Sequence, residues 1–424
     1  MGFKRLAAGL MMMTGLTLLA ACGGSGGSDS SNKGKAQLRL VNASSAYTGL
    51  DLKIGETSLA TGVAYGGASS YAAVDADTSL TMLVQSGGTT LTSRSATMTK
   101  DRNYALISYG WAGNMKAEAI DESQDAPADN YSKLQVINLA ETGKLDVYLT
   151  QNVDDLGNAT PTFASTEGGG GISTVASGAY RVRVTAAGSK TDLRLNIPTI
   201  TLASKQVATL VITPTQGGVL VGSLLMTQQG ATSAQGASNA RARVVSTVAD
   251  NAAVTATLGG TTMLANNSKI GEYQIVTAGQ PVLNATVAGV AIPARTTTLA
   301  AGSDYTLLIW GPANAPQVEV LADDNRLPVA STAKFRVING LANQNGGLTL
   351  TLDYSAIASN VPAGKSSAIA SVTAPTTSQL SVFTPDQVQP IYNVPTLAVQ
   401  NQGVYTVFMM GSAAKPEGIL RKDR

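Results

Sequence analysis

Histidine is absent from the whole of this 424-residue chain, and cysteine occurs once, as Cys22. The first absence removes imidazole acid-base catalysis, Ser-His-Asp and Cys-His nucleophiles, and the usual zinc and non-haem iron sites. The second removes disulfides and thiolate clusters, so the fold must rest on apolar cores. Charge is scarce too: Asp, Glu, Lys and Arg make up 13% of the chain and leave a net of +2. So dilute and balanced a surface has no basic footprint for nucleic acid or anionic headgroups, and neither is expected as a partner. Aromatics amount to 5%, with two tryptophans, Trp111 and Trp310.

The single cysteine has a context. Lys4 and Arg5 precede an uncharged stretch from Leu6 to Leu19, too short to cross a bilayer at about 20 residues per helix, and this reads as a signal peptide over 1–21. The ending Leu19-Ala20-Ala21-Cys22 resembles the lipobox of bacterial lipoproteins. That resemblance implies a diacylglyceryl group on the Cys22 thiol, cleavage before it and acylation of its amine, so the bilayer is an expected partner and palmitate an expected modification. A thiol so committed is neither nucleophile nor ligand. Loss of Lys4 and Arg5 leaves 27 basic residues against 27 acidic ones. Residues 22–35 are rich in Gly and Ser, with nothing apolar to pack, and read as a flexible tether reaching roughly 20 Å. Gly23 follows the cysteine where an Asp would favour inner-membrane retention. In a Gram-negative source the resemblance therefore implies the outer membrane.

Internal repetition organises the rest. A short apolar strand ending in a polar residue recurs at Leu38–Asn42, Leu134–Asn138, Ala242–Ser246 and Phe335–Asn339, with starts 96, 108 and 93 residues apart. A Tyr-led strand with Gly six residues on closes three units, at Tyr104 to Gly110, Tyr305 to Gly311 and Tyr405 to Gly411. In the second unit Ala208–Pro214 keeps the strand and loses both markers. Tyr104 and Tyr305 differ by 201, as do Ile137 and Ile338, which implies duplication of a two-unit block. Repeats of this length imply beads on a string, unlike solenoid repeats of roughly 20 to 50 residues.

Apolar residues alternate within units, as in Leu348-Thr349-Leu350-Thr351-Leu352 and Leu193-Arg194-Leu195-Asn196-Ile197. Period two puts one row in a core and the other in water. Clusters such as Gly66-Gly67, Gly87-Gly88 and Gly259-Gly260 break the runs at hairpin spacing. Convincing amphipathic helices are missing after the signal peptide. The expectation is an all-β chain of four tandem antiparallel β-sandwich domains, immunoglobulin-like or transthyretin-like, over 36–128, 129–237, 238–331 and 332–424.

At this point the chain resembles a known family. Arg39-Leu40-Val41-Asn42-Ala43-Ser44, the mid-unit Tyr65-Gly66-Gly67-Ala68-Ser69-Ser70-Tyr71 and the closing Tyr-led strand are similar to the bacterial domain of unknown function 4397. The resemblance implies tandem β-domains in secreted or lipid-anchored envelope proteins, and it brings no activity or catalytic residues.

Chemistry without histidine or free thiol leaves paired carboxylates, which hydrolyse glycosides at separations of about 5 Å or about 6.5 to 9.5 Å. Candidates are Asp75 with Asp77, Asp154 with Asp155, and Asp323 with Asp324. All sit where turns are expected, and solvated turn carboxylates explain them better. They lack the ligand alternation of a calcium loop. Gly168 to Gly171 has no Gly-Lys-Ser/Thr after it and reads as a hairpin loop.

Tyr109, Trp111 and Trp310 adjoin the glycine ending the closing strand in the odd-numbered units. Either they form a shared exposed ligand platform, or they pack on the next unit across linkers Glu118–Asp129 and Val318–Ser331. Large aromatics belong generally to cores and interfaces, which favours packing. The sequence thus describes a non-enzymatic, lipid-anchored envelope protein without metal or cofactor, acting as a spacer or as a binding module for a glycan or protein. The alternative is a carboxylate-based hydrolase.

Overall fold

The computed structural model describes residues 34–151, 155–265 and 268–424, so Cys22, the signal peptide and nearly all of the tether lie outside the described residues. The first unit runs β1 (Lys35–Asn42), β2 (Leu50–Ile54), β3 (Thr57–Val63), β4 (Ala72–Asp75), β5 (Ser79–Ser86), β6 (Thr89–Thr97), β7 (Asn103–Trp111) and β8 (Asn114–Asp121). These make two sheets, β4-β1-β7-β8 and β3-β2-β5-β6. Leu38 and Leu40 from one sheet meet Leu50, Leu52, Met82 and Val84 from the other in a core. Apart from two one-turn 3₁₀ helices, the regular elements described are strands. None of the described segments is a helix long and apolar enough to cross a membrane.

The chain is all-β and built of tandem sandwiches, as its periodicity implies. One pairing in each unit is not antiparallel. β1 runs parallel to β7, with Leu38 opposite Tyr104. The same parallel pair joins Tyr131–Asn138 to Val207–Pro214, Asn239–Ser246 to Asp304–Trp310, and Thr332–Asn339 to Val404–Ser412. In every unit the counterpart of β7 then turns back into a counterpart of β8: Val221–Thr227, Gln317–Asp323 and Lys415–Lys422. The segments beginning at Glu118 and Val318 therefore continue strands and are not linkers at those points.

Each repeated marker has a structural reason. The phenol oxygens of Tyr104, Tyr305 and Tyr405 accept hydrogen bonds from the backbone N–H groups of Thr99 (3.1 Å), Ala300 (3.1 Å) and Gln400 (2.8 Å), tying β7 and its counterparts to the chain entering them. Gly110, Gly311 and Gly411 have φ of +106°, +95° and +81°, which favours glycine where the strand bends into its hairpin. The polar residue ending the first strand braces the two sheets. Asn42 donates to the Val63 carbonyl and Asn339 to that of Val361, each at 2.9 Å, and Asn138 donates to Thr166 at 3.0 Å.

The beads-on-a-string expectation fails, as does the expectation that the outer row of each strand faces water. The outer faces of the first sheets are apolar and meet in pairs. Val41, Ala105 and Ile107 of the first unit pack on Ile137, Val211 and Leu224 of the second. Val245 and Leu308 of the third pack on Ile338 and Phe408 of the fourth. The two pairs also touch. Gly217 donates to the Gly302 carbonyl (2.9 Å) and accepts from the Asn325 N–H (3.0 Å), while Arg424 reaches the carbonyls of Thr142 (2.8 Å), Gly218 and Asn325.

Candidate functional site

The carboxylate pairs are dispersed. Asp75 is partly exposed and holds Lys35 at 2.6 Å, and Asp77 occupies a turn at φ +54°. Asp155 caps a one-turn helix by accepting from Gly157 N–H at 2.8 Å, and Asp154 lies outside the described residues. Asp323 corrects the solvated-turn reading, because it ends a strand and is buried. It accepts from Tyr273 Oη (2.6 Å) and Thr306 Oγ1 (2.7 Å) and pairs with Arg336 of the fourth unit (2.6 Å). Reciprocally, Arg243 of the third unit reaches Asp423 beyond the last strand of the fourth (2.5 Å) and stacks between Tyr273 and Phe408. Burial pushes the Asp323 carboxyl up, but Arg336 and then Arg243 outweigh it and hold the group below its ordinary range. In the first unit Arg39 bonds Glu122 (2.7 Å) and Tyr71 donates to the same carboxylate (2.6 Å). The second unit has Gln135 where its siblings have arginine.

The three aromatics do not share one platform. Trp310 is half-buried in the seam between the third and fourth units. A Cβ on Gly364 would come within 2.5 Å of its ring, and its indole N–H is buried without a partner. Tyr109 lies in the first seam, and Trp111 at the junction of the two pairs under the Arg326 guanidinium, 4.7 Å from its ring centroid.

What the first seam has instead is a cleft of about 640 Å³. One wall is Tyr109, Glu118, Ile120 and Asp121 from the seventh and eighth strands of the first unit, extended by Gln124. The other is Gln135 and Ile137 from the opening strand of the second unit, then Leu139 and Glu141 just past it, and the loop Glu167-Gly168-Gly169. The glycine run is not free. A Cβ on Gly170 would stand 2.1 Å from the Val136 carbonyl, so close approach to that strand excludes other residues there. Burial, then Glu141 and Glu118, push the Tyr109 phenol up to about 12, so it stays neutral and able to donate a hydrogen bond at physiological pH. Each wall carboxylate has a cation: Arg94 on Glu118 (3.0 Å), Arg102 on Asp121 (2.5 Å), Lys116 on Glu141, and Lys144 on Glu167 (3.7 Å). Four acids balanced by four bases give a polar wall without net charge. No group of three or more acidic side chains stands close enough to hold a metal ion, among the described residues.

The second seam shows the same place filled. Trp310 stands at the Tyr109 position, Gly364 ends the strand-bridging turn with Lys365 after it, and Lys365 bonds Glu319 (3.2 Å), the counterpart of Glu118. Sequence reasoning missed Glu118 and Asp121 by assigning both to a linker. The 201-residue offset was the available signal, since it pairs Tyr109 with Trp310 and Glu118 with Glu319.

Among curated proteins none matches the chain. Solved structures give faint likenesses. The Bacillus anthracis TIE protein is 9% identical over 90% of this chain and 69% of its own, with a TM-score of 0.15. A family CBM26 module of Eubacterium rectale Amy13K, solved with maltoheptaose, is 12% identical over 47% of this chain and 95% of its own (TM-score 0.14). The pneumococcal glycogen-degrading virulence factor SpuA is 8% identical over 84% of this chain and 37% of its own (TM-score 0.18). Scores this low carry nothing about ligand or activity. The family model described as "Domain of unknown function (DUF4397)" matches residues 36–148 and 240–345. Each match takes in the first unit of a pair and the opening strands of the second, and together they cover just over half of the sequence. The chain belongs to the DUF4397 family.

Proposed function

We propose that this protein is a non-enzymatic binding module of the bacterial cell envelope, anchored through a lipid on Cys22 and taking a neutral glycan in the cleft of the first seam. One observation carries the reading: two seams built on one plan differ at one place, where Tyr109 and a glycine loop leave a cleft and Trp310 with Lys365 fill it. The lining suits hydroxyl-rich ligands, because carboxylates and the amides of Gln124 and Gln135 pair with vicinal hydroxyls while an aromatic ring packs against apolar sugar faces. Exposed ion pairs are worth about 0 to 1 kcal/mol each, so turning them toward a ligand costs little. The anchoring reading rests on Leu19-Ala20-Ala21-Cys22 and the Gly/Ser run after it, with the outer membrane as destination in a Gram-negative source.

A hydrolase is the weaker reading. Asp323 and Asp423 come together, yet their side chains are 0% and 1% exposed and each is bound to arginine, so no substrate enters between them. A glycan array probed with residues 23–424 tests the proposal, alongside Tyr109→Trp, which copies the filled seam. Wild type should bind a defined set of neutral glycans, and Tyr109→Trp should lose that binding at least tenfold while keeping its melting temperature within a few degrees. A blank array, or equal binding by the variant, sinks the reading.

A further inference from the structure

A second cleft, of about 320 Å³, abuts the first, and Glu141 lines both. Its walls come from three places: Trp111 and Lys116 of the first unit, Pro214 of the second, and Arg326 and Pro328 from the segment that joins the third unit to the fourth. We propose that the ligand is a linear oligosaccharide running from the first cleft into the second, so that the second pair of sandwiches supplies part of the site. This rests on the glycan reading of the first cleft.

Continuity and spacing carry the argument. Tyr109 and Trp111 lie two positions apart on β7, about 7 Å along the strand, with one ring in each cleft. That interval exceeds one sugar ring, so a ligand touching both has at least two linked residues. The partition between the clefts is the Lys116–Glu141 pair, partly exposed on both sides, and an ion pair of that kind is weak enough to turn toward a ligand. Trp111 is held in place by chemistry from elsewhere in the chain. Arg326 lies over its ring, and Asp324 fixes Arg326 with two hydrogen bonds of 2.8 and 2.9 Å. Lys334 of the fourth unit bonds Asp324 in turn (3.0 Å). A platform built this way is rigid before any ligand arrives, which lowers the ordering cost of binding. It also gives a reason for the close contact of the two pairs, which a single-cleft binder would not need.

The test is calorimetric titration of residues 23–424 with unbranched gluco-, manno- and N-acetylglucosamine oligosaccharides of one to six rings. In whichever series binds, affinity should rise on going from one ring to two or more. Trp111→Ala should remove that gain, leaving six rings bound no better than one, with the one-ring affinity kept. Because truncating Trp111 could disturb folding, Arg326→Ala provides the second probe from the other side of the cleft, and it should reproduce the length-specific loss. If affinity is flat from one ring to six, or if both variants follow the wild-type length dependence, the chain-spanning site is wrong and the first cleft alone remains. If no series binds at any length, both readings fall together.

Discussion

Asp304 begins the third unit's counterpart of β7 and is buried where the two pairs meet. Arg241 reaches it at 3.0 and 3.2 Å and the Asn325 amide at 2.7 Å, while Gly217 leaves no room beside it: a Cβ there would stand 2.7 Å from the carboxylate. Burial dominates these partners and pushes the carboxyl up to about 6. A folded-state pKa above the ordinary 3.8 means the folded protein holds this proton more tightly than the unfolded chain. The stability gained is full below about pH 4 and is lost as pH rises through about 6, and a rise of that size is worth on the order of 3 kcal/mol. Asp323 works oppositely, since its lowered pKa contributes stability above the ordinary range and loses it as pH falls below. Between about pH 4 and about pH 6.5 the Asp304 contribution therefore acts without that opposition. Denaturant unfolding at fixed pH values should show wild-type stability falling relative to Asp304→Asn across this window. Parallel pH dependence of the two proteins would show that the carboxyl does not titrate as its burial demands.

At the level of strands, the sequence speaks clearly where local chemistry repeats. The opening strand announces itself four times because Leu38 and Leu40, Leu134 and Val136, and their counterparts must fill a core, and β7 announces itself in three units because a tyrosine hydroxyl and a glycine each answer a local backbone demand. The eighth strand is quieter. Asn-Met-Lys-Ala-Glu-Ala-Ile-Asp places its ion-paired residues along a sheet edge, where charge is common, so its pattern reads as a connection. The outer row of β1 misleads for a different reason. Arg39 looks like a solvent-facing residue between two leucines, yet it is buried by its bond to Glu122, 83 residues away, and by the Gly230 carbonyl of the neighbouring unit. Partners that far apart leave no periodic trace. The cleft is equally silent in the sequence, because its walls belong to different units and it exists only through what is smaller there than at the matching place 201 residues on.

For the whole molecule the question is which parts melt together. Arg243 and Asp423 are 180 positions apart and belong to different sandwiches, as do Arg336 and Asp323, so each unit of the second pair neutralises a charge buried in the other. Val245, Leu308, Ile338 and Phe408 surround this exchange with apolar surface. An ion pair so enclosed is a poor source of net stability but a strong coupling device, since removing one partner strands the other and typically costs about 3–5 kcal/mol. The fragment Asn239–Arg424 should accordingly unfold in a single calorimetric transition. Asp423→Asn, although it alters only the fourth unit, should lower that one transition by about 6–20 °C, given about 2–4 °C per kcal/mol for a fragment of this size. Independent domains behave differently: two transitions appear, and the substitution shifts only one of them. Observation of that second pattern would return the second pair to two separate beads and reduce the crossed arginines to a surface of contact.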